Sequence, residues 1–249
     1  MFIKVLSFIL AIVPSLLLVR FFYKRDVNPE PRGLLLKTFF AGLASVVLLF
    51  PLALILLFPG LSEMDFRIRS FYVAFVVAAV PEELLKFGVL TLLCMRSKAF
   101  DEPMDGIVYG AVASLGFATI ENILYVHFGG IGTALARMFS SVPAHACFGA
   151  IMGYYAGLSR FGHPKYFLWV GLLFAIFLHG LYDYGLFLSG GGTVRGGISQ
   201  KEISAVLMGG QLLFWAVIIF QTIFVLTRVR KLRQAQLAVQ RTKDIDSQR

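Results

Sequence analysis

The amino-acid sequence predicts an all-α protein, a polytopic bundle of transmembrane helices. Of its 249 residues, 58% are hydrophobic and only 15% are charged, and the mean hydropathy is +0.79. A soluble domain carries about a quarter charged residues. The hydrophobic residues fall in runs of roughly 20, the length that a helix needs to cross about 30 Å of hydrocarbon. Because these runs lack the alternation of barrel strands, helices are the expected spanning elements.

The apolar runs define about seven spans, which predict one transmembrane domain over residues 1–228 and a basic tail over residues 229–249. The seven predicted spans are 2–23, 34–58, 71–95, 104–127, 136–158, 166–188 and 203–227. The first is expected to remain as a helix, because it is long for a signal peptide and lacks an A-x-A cleavage pattern. The polar loop over residues 26–33 is expected only to connect two spans. The tail is expected either to extend the last helix along anionic headgroups or to be solvated.

Lysine and arginine residues are concentrated on one side of these spans, which predicts the orientation of the chain. The first, third and fifth loops and the tail carry fifteen of them, and the opposite side carries six. The six are Lys4, Arg67, Arg69, Arg137, Arg195 and Lys201. We therefore expect the N-terminus outside and the C-terminus in the cytosol. This placement accounts for the net charge of +9, so the lipid bilayer and not a nucleic acid is the predicted partner.

Four of the spans contain ionisable residues, which are costly at bilayer depth and usually mark function. The third span has two adjacent glutamates that point about 100° apart, with a lysine one turn further along. The sixth has a histidine and an aspartate four residues apart, on one helix face. The candidate residues are Glu82, Glu83 and Lys86 in the third span, Glu121 and Asn122 in the fourth, His145 in the fifth, and His179 and Asp183 in the sixth.

The depth of these residues predicts that they meet in one layer. At about 1.5 Å per residue, Glu82 and Glu83 lie about 18 Å below the outer end of their span, and the other acids and histidines roughly 7–14 Å below theirs. His145 also shares a ridge with Gly149, Gly153 and Gly157, a small-xxx-small repeat that lets another helix approach closely. We therefore expect one polar site in the outer half of the bilayer.

Two histidines and several carboxylates in one layer suit the hydrolysis of a peptide bond. Zn²⁺ takes imidazole and carboxylate ligands and can keep one position for water, which it makes more acidic. The expected ligands are His145 and His179 with Glu121 or Asp183, and another glutamate then serves as general base. Without a metal, a glutamate and a histidine activate water directly while a donor stabilises the oxyanion. Both mechanisms remain open from the residues alone.

The same residues are also compatible with a transporter or with a catalytically inactive membrane scaffold. A proton- or ion-coupled transporter would also use intramembrane Glu, His and Asp, and it predicts ion flux without a peptide product. Taken singly, Glu82 with Lys86 is also a reasonable ion pair for packing alone. The whole set exceeds what packing needs, because each buried charge is costly. We therefore favour a protease.

Four motifs on successive spans resemble the PrsW family of intramembrane proteases. That family carries E-E-x-x-K, F-x-x-x-E-N, H-x-x-x-G and H-x-x-x-D, which here begin at Glu82, Phe117, His145 and His179. The PEP-containing first loop is similar too, and the match covers about residues 20–190. The resemblance implies an endopeptidase of the bacterial plasma membrane. Its expected substrate is a single-span anti-sigma factor, cut near the extracytoplasmic side as a site-1-type step.

The resemblance leaves the metal open. PrsW proteins are classed as metallopeptidases, whereas relatives in the CAAX protease and bacteriocin-processing group have been argued to be glutamate proteases. Those relatives have a histidine where this chain has Glu121, so roles are not copied from them. Our hypothesis makes Glu82 or Glu83 the general base and pairs the other with Lys86. The remaining roles are the positioning of water or metal by His145, His179 and Glu121 or Asp183, and oxyanion donation by Asn122.

Overall fold

The computed structural model describes residues 2–190 and 200–247. Within them the regular elements are all helical. The α-helices are α1 (Phe2–Arg25), α2 (Arg32–Leu56), α3 (Phe66–Tyr72), α4 (Val80–Val89), α5 (Pro103–Phe139), α6 (Ser141–Arg160), α7 (Phe167–Ser189) and α8 (Gln200–Asp246). A 3-10 turn, Pro59–Glu63, precedes α3, and π-helical segments, Val73–Ala79 and Leu90–Cys94, flank α4.

The predicted all-α membrane bundle is confirmed. Five helical stretches are long and apolar enough to cross a membrane: Ile3–Arg25, Arg32–Leu56, Pro103–Arg160, Phe167–Ser189 and Glu202–Asp246. Each of the seven predicted spans falls on helical backbone, but their number and orientation stay predictions. Arg195, which we assigned to the outer side, lies outside the described residues.

The connection between α5 and α6 differs from the predicted one. Gly130 has a φ of 69° and a ψ of −159°, so the helical path of α5 breaks there and resumes over residues 131–139. A positive φ is accessible to glycine because it has no Cβ. Helix α6 begins at Ser141, five residues after the predicted start of the fifth span at residue 136. The intervening segment, residues 131–139, turns back towards the site described below.

Close contact between α5 and α6 forms the centre of the bundle. A Cβ added to Gly153 would lie 1.8 Å from the carbonyl oxygen of Gly106, and one added to Gly110 would lie 2.2 Å from that of Gly149. The two backbones therefore touch along an antiparallel seam, as the small-xxx-small repeat of α6 predicts. Helices α1 and α2 pack on α5, α7 packs on α6 and α8, and α4 lies between α2 and α7.

Replacing Gly153 with alanine should destabilise the protein by about 1–3 kcal/mol, because the new methyl group forces the α5 and α6 backbones apart. Gly88 offers a matched control, since a Cβ there has nothing within 4 Å. Gly88→Ala should be neutral or stabilising by about 0.5–1 kcal/mol, the helix-propensity difference. Thermal unfolding of both variants in detergent micelles measures the difference. Equal melting temperatures for the two variants would contradict the close seam.

The backbone before α4 is wound as a π-helix over Val73–Ala79 and returns to α-helical winding at Val80. Pro81 follows at once and has no N–H to donate, so the ordinary hydrogen-bond ladder cannot continue through it. π-Helical turns inside helices are frequent at functional sites. Gly180 of α7 packs directly against this segment, since a Cβ at Gly180 would lie 2.4 Å from the Phe75 ring. The Phe75 ring thus fills the space that Gly180 leaves beside His179.

Candidate active site

Helix α4 carries two carboxylates and an ammonium group into the core of the bundle. Glu83 is fully buried and Lys86 is 1% exposed. The Lys86 Nζ lies 3.1 Å from Glu82 Oε2 and 2.8 Å from Glu83 Oε1. The sequence predicted that Lys86 pairs with one of the two glutamates, and in the structure it contacts both. The same ammonium lies 4.2 Å from the centre of the Phe117 ring.

His145 links this ammonium group to α5. Its Nδ1 lies 3.0 Å from Lys86 Nζ, and its Nε2 lies 2.7 Å from Glu121 Oε2. Because an ammonium group can only donate, Nδ1 is the acceptor, and we infer that Nε2 carries the ring proton. Lys86 therefore sets the tautomer of the imidazole, and the Glu121 carboxylate lies beside its protonated nitrogen.

His179 of α7 lies between carboxylates of two helices. Its Nδ1 is 2.9 Å from Glu83 Oε1, and its Nε2 is 3.3 Å from Asp183 Oδ2 and 4.0 Å from Glu82 Oε2. The Phe148 ring stacks on the imidazole with a centroid separation of 4.8 Å and an interplanar angle of 15°. Both ring nitrogens thus face oxygen atoms, while one face of the ring is held by an aromatic side chain.

An arginine that the sequence analysis assigned to an outer loop completes the site. Arg137 Nη2 lies 3.1 Å from Glu121 Oε1, and its Nε donates to Asn122 Oδ1 at 2.8 Å. It comes from the segment after the Gly130 break, residues 131–139. The signal in the sequence was the glycine-rich stretch at residues 129–132, which allows the chain to turn back over the site.

Asn122 is engaged on both sides of its amide. Its Oδ1 accepts from Arg137, and its Nδ2 donates to the carbonyl oxygen of Ala11 in α1 at 2.9 Å. The amide therefore ties α1, α5 and the Arg137 segment together. Its role as an oxyanion donor stays a prediction.

A metal ion would find a compact set of donors at this centre. Glu82, Glu83, His145 and His179 each offer a ligand atom, and these atoms lie within 4.8 Å of one another. Glu83 Oε2 is buried and has no hydrogen-bond partner. Carboxylates and imidazoles suit Zn²⁺, so the residues fit the expected metal. Of the predicted ligands, the two histidines belong to this group.

The two remaining predicted ligands lie at the edge of the centre. Glu121 faces His145 and Asp183 faces His179, and each of these acids retains 15% side-chain exposure. A carboxylate that hydrogen-bonds a ligating histidine typically fixes its orientation. The structure thus brings all eight predicted residues to one region, with the four donors and Lys86 at its centre and Glu121, Asn122 and Asp183 around them.

An apolar helix bundle that encloses acids, imidazoles and a set of donors able to hold a metal ion is the arrangement expected of an intramembrane protease. The sequence profile described as PrsW family intramembrane metalloprotease matches residues 30–226. The chain belongs to the PrsW family, and it is a protease of the bacterial plasma membrane with several membrane-spanning helices.

Three relatives illustrate the similarity, and each carries the name Protease PrsW. The one from Geobacillus kaustophilus is 40% identical over 176 residues, which are 70% of this chain and 76% of the relative. The one from Bacillus subtilis is 40% identical over 177 residues, 70% of this chain and 79% of the relative. The one from Clostridioides difficile is 35% identical over 196 residues, 73% of this chain and 79% of the relative. No solved structure matches the chain.

Proposed function

We propose that this protease cuts a single-span membrane protein near its extracytoplasmic side, and that an anti-sigma factor is its substrate. The observation that carries the proposal is the meeting of Glu82, Glu83, His145 and His179 in a buried centre. An amide is a poor electrophile, so its hydrolysis needs an activated water and a positioned base. This centre offers groups for both tasks.

The exposure of the site supports an extracytoplasmic cut. Glu121, Arg137 and Asp183 keep 13–15% side-chain exposure, whereas Glu83 has none. The site is thus most accessible on the side of the Arg137 segment, which we propose as the route of water to the centre. We propose, from the distribution of positive charge, that this side faces outward and that the C-terminal tail is cytosolic.

A cysteine introduced at Ser62 tests this orientation in intact cells. Labelling of this cysteine by a membrane-impermeant thiol reagent supports the orientation, and protection of the cysteine from the reagent opposes it.

Within the centre, we assign the general base to Glu83. Its Oε1 is held by Lys86 and His179, while its buried Oε2 has no partner and is free to take a proton. Glu82, His145 and His179 would hold the metal, which supplies a more acidic water when bound. Glu121 and Asp183 orient the two imidazoles. Lys86 holds the two adjacent carboxylates beside each other through its contacts with both.

Metal analysis combined with a cleavage assay tests the proposal. The full chain is reconstituted in liposomes with a candidate single-span substrate that carries a different tag at each end. We expect about one Zn²⁺ per chain, cleavage that stops with chelator and returns with Zn²⁺, and fragment sizes that place the cut near the extracytoplasmic side. Normal cleavage by metal-free protein would reject the metal but keep the protease. Ion flux that depends on Glu121, without any peptide product, would favour the transporter instead.

A further inference from the structure

A second group of buried acids lies at the N-terminal end of α5, away from the proteolytic centre. Asp26 and Glu30 come from the loop between α1 and α2, and Asp105 from the first turn of α5. Each offers an oxygen atom, and these atoms lie within 4.8 Å of one another. The three residues are 6%, 4% and 0% exposed. Asp105 precedes Glu121 by 16 positions, about 24 Å along the helix, so this acidic cluster is separate from the proteolytic centre.

The surrounding hydrogen bonds fix only part of the cluster. Asp105 Oδ2 accepts from the backbone N–H groups of Asp101 and Glu102 at 2.7 and 2.8 Å. Tyr109 donates its hydroxyl hydrogen to Glu30 Oε2. The Asp105 side chain is fully buried, yet its Oδ1 accepts no hydrogen bond from a donor group of the protein.

The loop acid Asp26 repeats this pattern and ties the cluster to α8. Its Oδ1 accepts from Gln236 Nε2 at 2.6 Å and from the N–H of Asn28 at 3.0 Å. Its Oδ2 is buried and has no hydrogen-bond partner. Asp26 thus presents one oxygen that the protein itself leaves unused, whereas the carboxyl groups of Asp105 and Glu30 lie close enough to share a proton.

In the part of the chain that the structure describes, the cluster lacks a balancing positive side chain. Among the described residues, no lysine or arginine forms an ion pair with Asp26, Glu30 or Asp105. Burial raises the pKa of Asp26 and of Glu30 above the ordinary range, because a charged carboxylate is poorly solvated there. Buried carboxylates without a balancing positive charge are strongly unfavourable, so a cation or protons must balance them.

We propose that Asp26, Glu30 and Asp105 bind one divalent cation of the class that prefers oxygen ligands, such as Mg²⁺, Mn²⁺ or Ca²⁺. The donors are carboxylate oxygens without histidine or cysteine, which suits these hard cations rather than Zn²⁺. A surface cavity of about 710 Å³, lined in part by Asn28, Glu102 and Gln236, lies alongside and gives a hydrated ion access. The bound ion would fasten the first loop to α5 and, through Gln236, to α8.

Mn²⁺ binding to the full chain in detergent micelles tests this proposal. After chelator treatment the proteolytic centre is refilled with one equivalent of Zn²⁺, and Mn²⁺ is then titrated while the free ion is followed by its paramagnetic resonance signal. We expect one saturable site from which Mg²⁺ or Ca²⁺ displaces Mn²⁺. At 100-fold excess over the Kd, the cation should raise the melting temperature by about 5–10 °C.

Three variants assign the site. Asp105→Asn should lose this one Mn²⁺ and the rise in melting temperature. Asp26→Asn should do the same, and it keeps an oxygen that can accept from Gln236, so it remains informative if Asp105→Asn does not fold. Asp246→Asn, an exposed acid of α8, should behave like the unchanged chain. An unchanged chain that binds no Mn²⁺, or Asp26→Asn protein that binds it normally, would overturn the proposal and leave protons as the balancing charge.

Discussion

Replacing Glu83 with glutamine is expected to lower the rate of substrate cleavage by about 10²–10⁴-fold, the usual contribution of a positioned general base. Glutamine keeps an oxygen that can accept from Lys86 and His179. It replaces Oε2, the oxygen without a partner, with an amide nitrogen that cannot take a proton. The shape of the centre is thus nearly preserved while its base is removed. The initial rate of appearance of the cleaved, tagged substrate measures the effect.

Two further variants make this result specific. Glu63→Gln is the matched control, because it removes one carboxylate at an exposed position of the 3-10 turn, outside α4. It should leave the cleavage rate unchanged. Glu82→Gln should also reduce cleavage, but with loss of bound metal, because we place Glu82 among the metal donors. If Glu83→Gln protein loses metal and Glu82→Gln protein keeps it, the two roles are exchanged. A near-normal rate for Glu83→Gln in folded protein would remove Glu83 from the chemistry.

The convergence of the proteolytic centre could be predicted because it depends on helical geometry alone. A rise of 1.5 Å per residue and alternating span directions place Glu82, Glu121, His145 and His179 in one layer without knowledge of any contact. The ridge of glycines on α6 likewise predicted close packing, because small residues at every fourth position share one face. Periodic features of single helices were therefore accessible from the sequence.

The contacts of Arg137 could not be predicted in this way. They depend on the break at Gly130, a local backbone conformation that returns residues 131–139 to the site. A positive-inside count treats Arg137 only as one charge on the outer side. The partner glycines Gly106 and Gly110 were missed for a related reason, since the register between α5 and α6 is a property of the packed pair.

The acidic cluster was missed because its members are distant in the sequence. Asp26 and Glu30 lie in a segment that has the composition of an ordinary connecting loop, and Gln236 lies in what the sequence predicts to be a plain tail. Each is unremarkable alone, and only the packed structure shows that Asp26 approaches both Asp105 and Gln236. The cluster at this end of the bundle is thus visible only in three dimensions.

Replacing Lys86 with methionine is expected to destabilise the metal-free protein by about 3–5 kcal/mol, the usual result of removing one member of a buried ion pair. Methionine fills much of the space of the lysine stem but supplies no positive charge. Glu82 and Glu83 would then be buried beside each other with no ammonium group, and His145 Nδ1 would lose its donor. Denaturant unfolding of chelator-treated protein in micelles measures the loss.

A double variant separates charge from packing in this experiment. Because Lys86 contacts both glutamates, adding Glu82→Gln to Lys86→Met removes one of the two unbalanced carboxylates and should restore part of the stability. Destabilisation that is additive in the two changes would mean that Lys86 acts through its packing on Phe117.

Zn²⁺ gives the complementary test. A divalent cation bound by Glu82 and the histidines replaces the lost charge, so it should stabilise Lys86→Met more than the unchanged protein. The lysine and the metal would then act on the same pair of carboxylates, with Lys86 holding them together when the metal is absent.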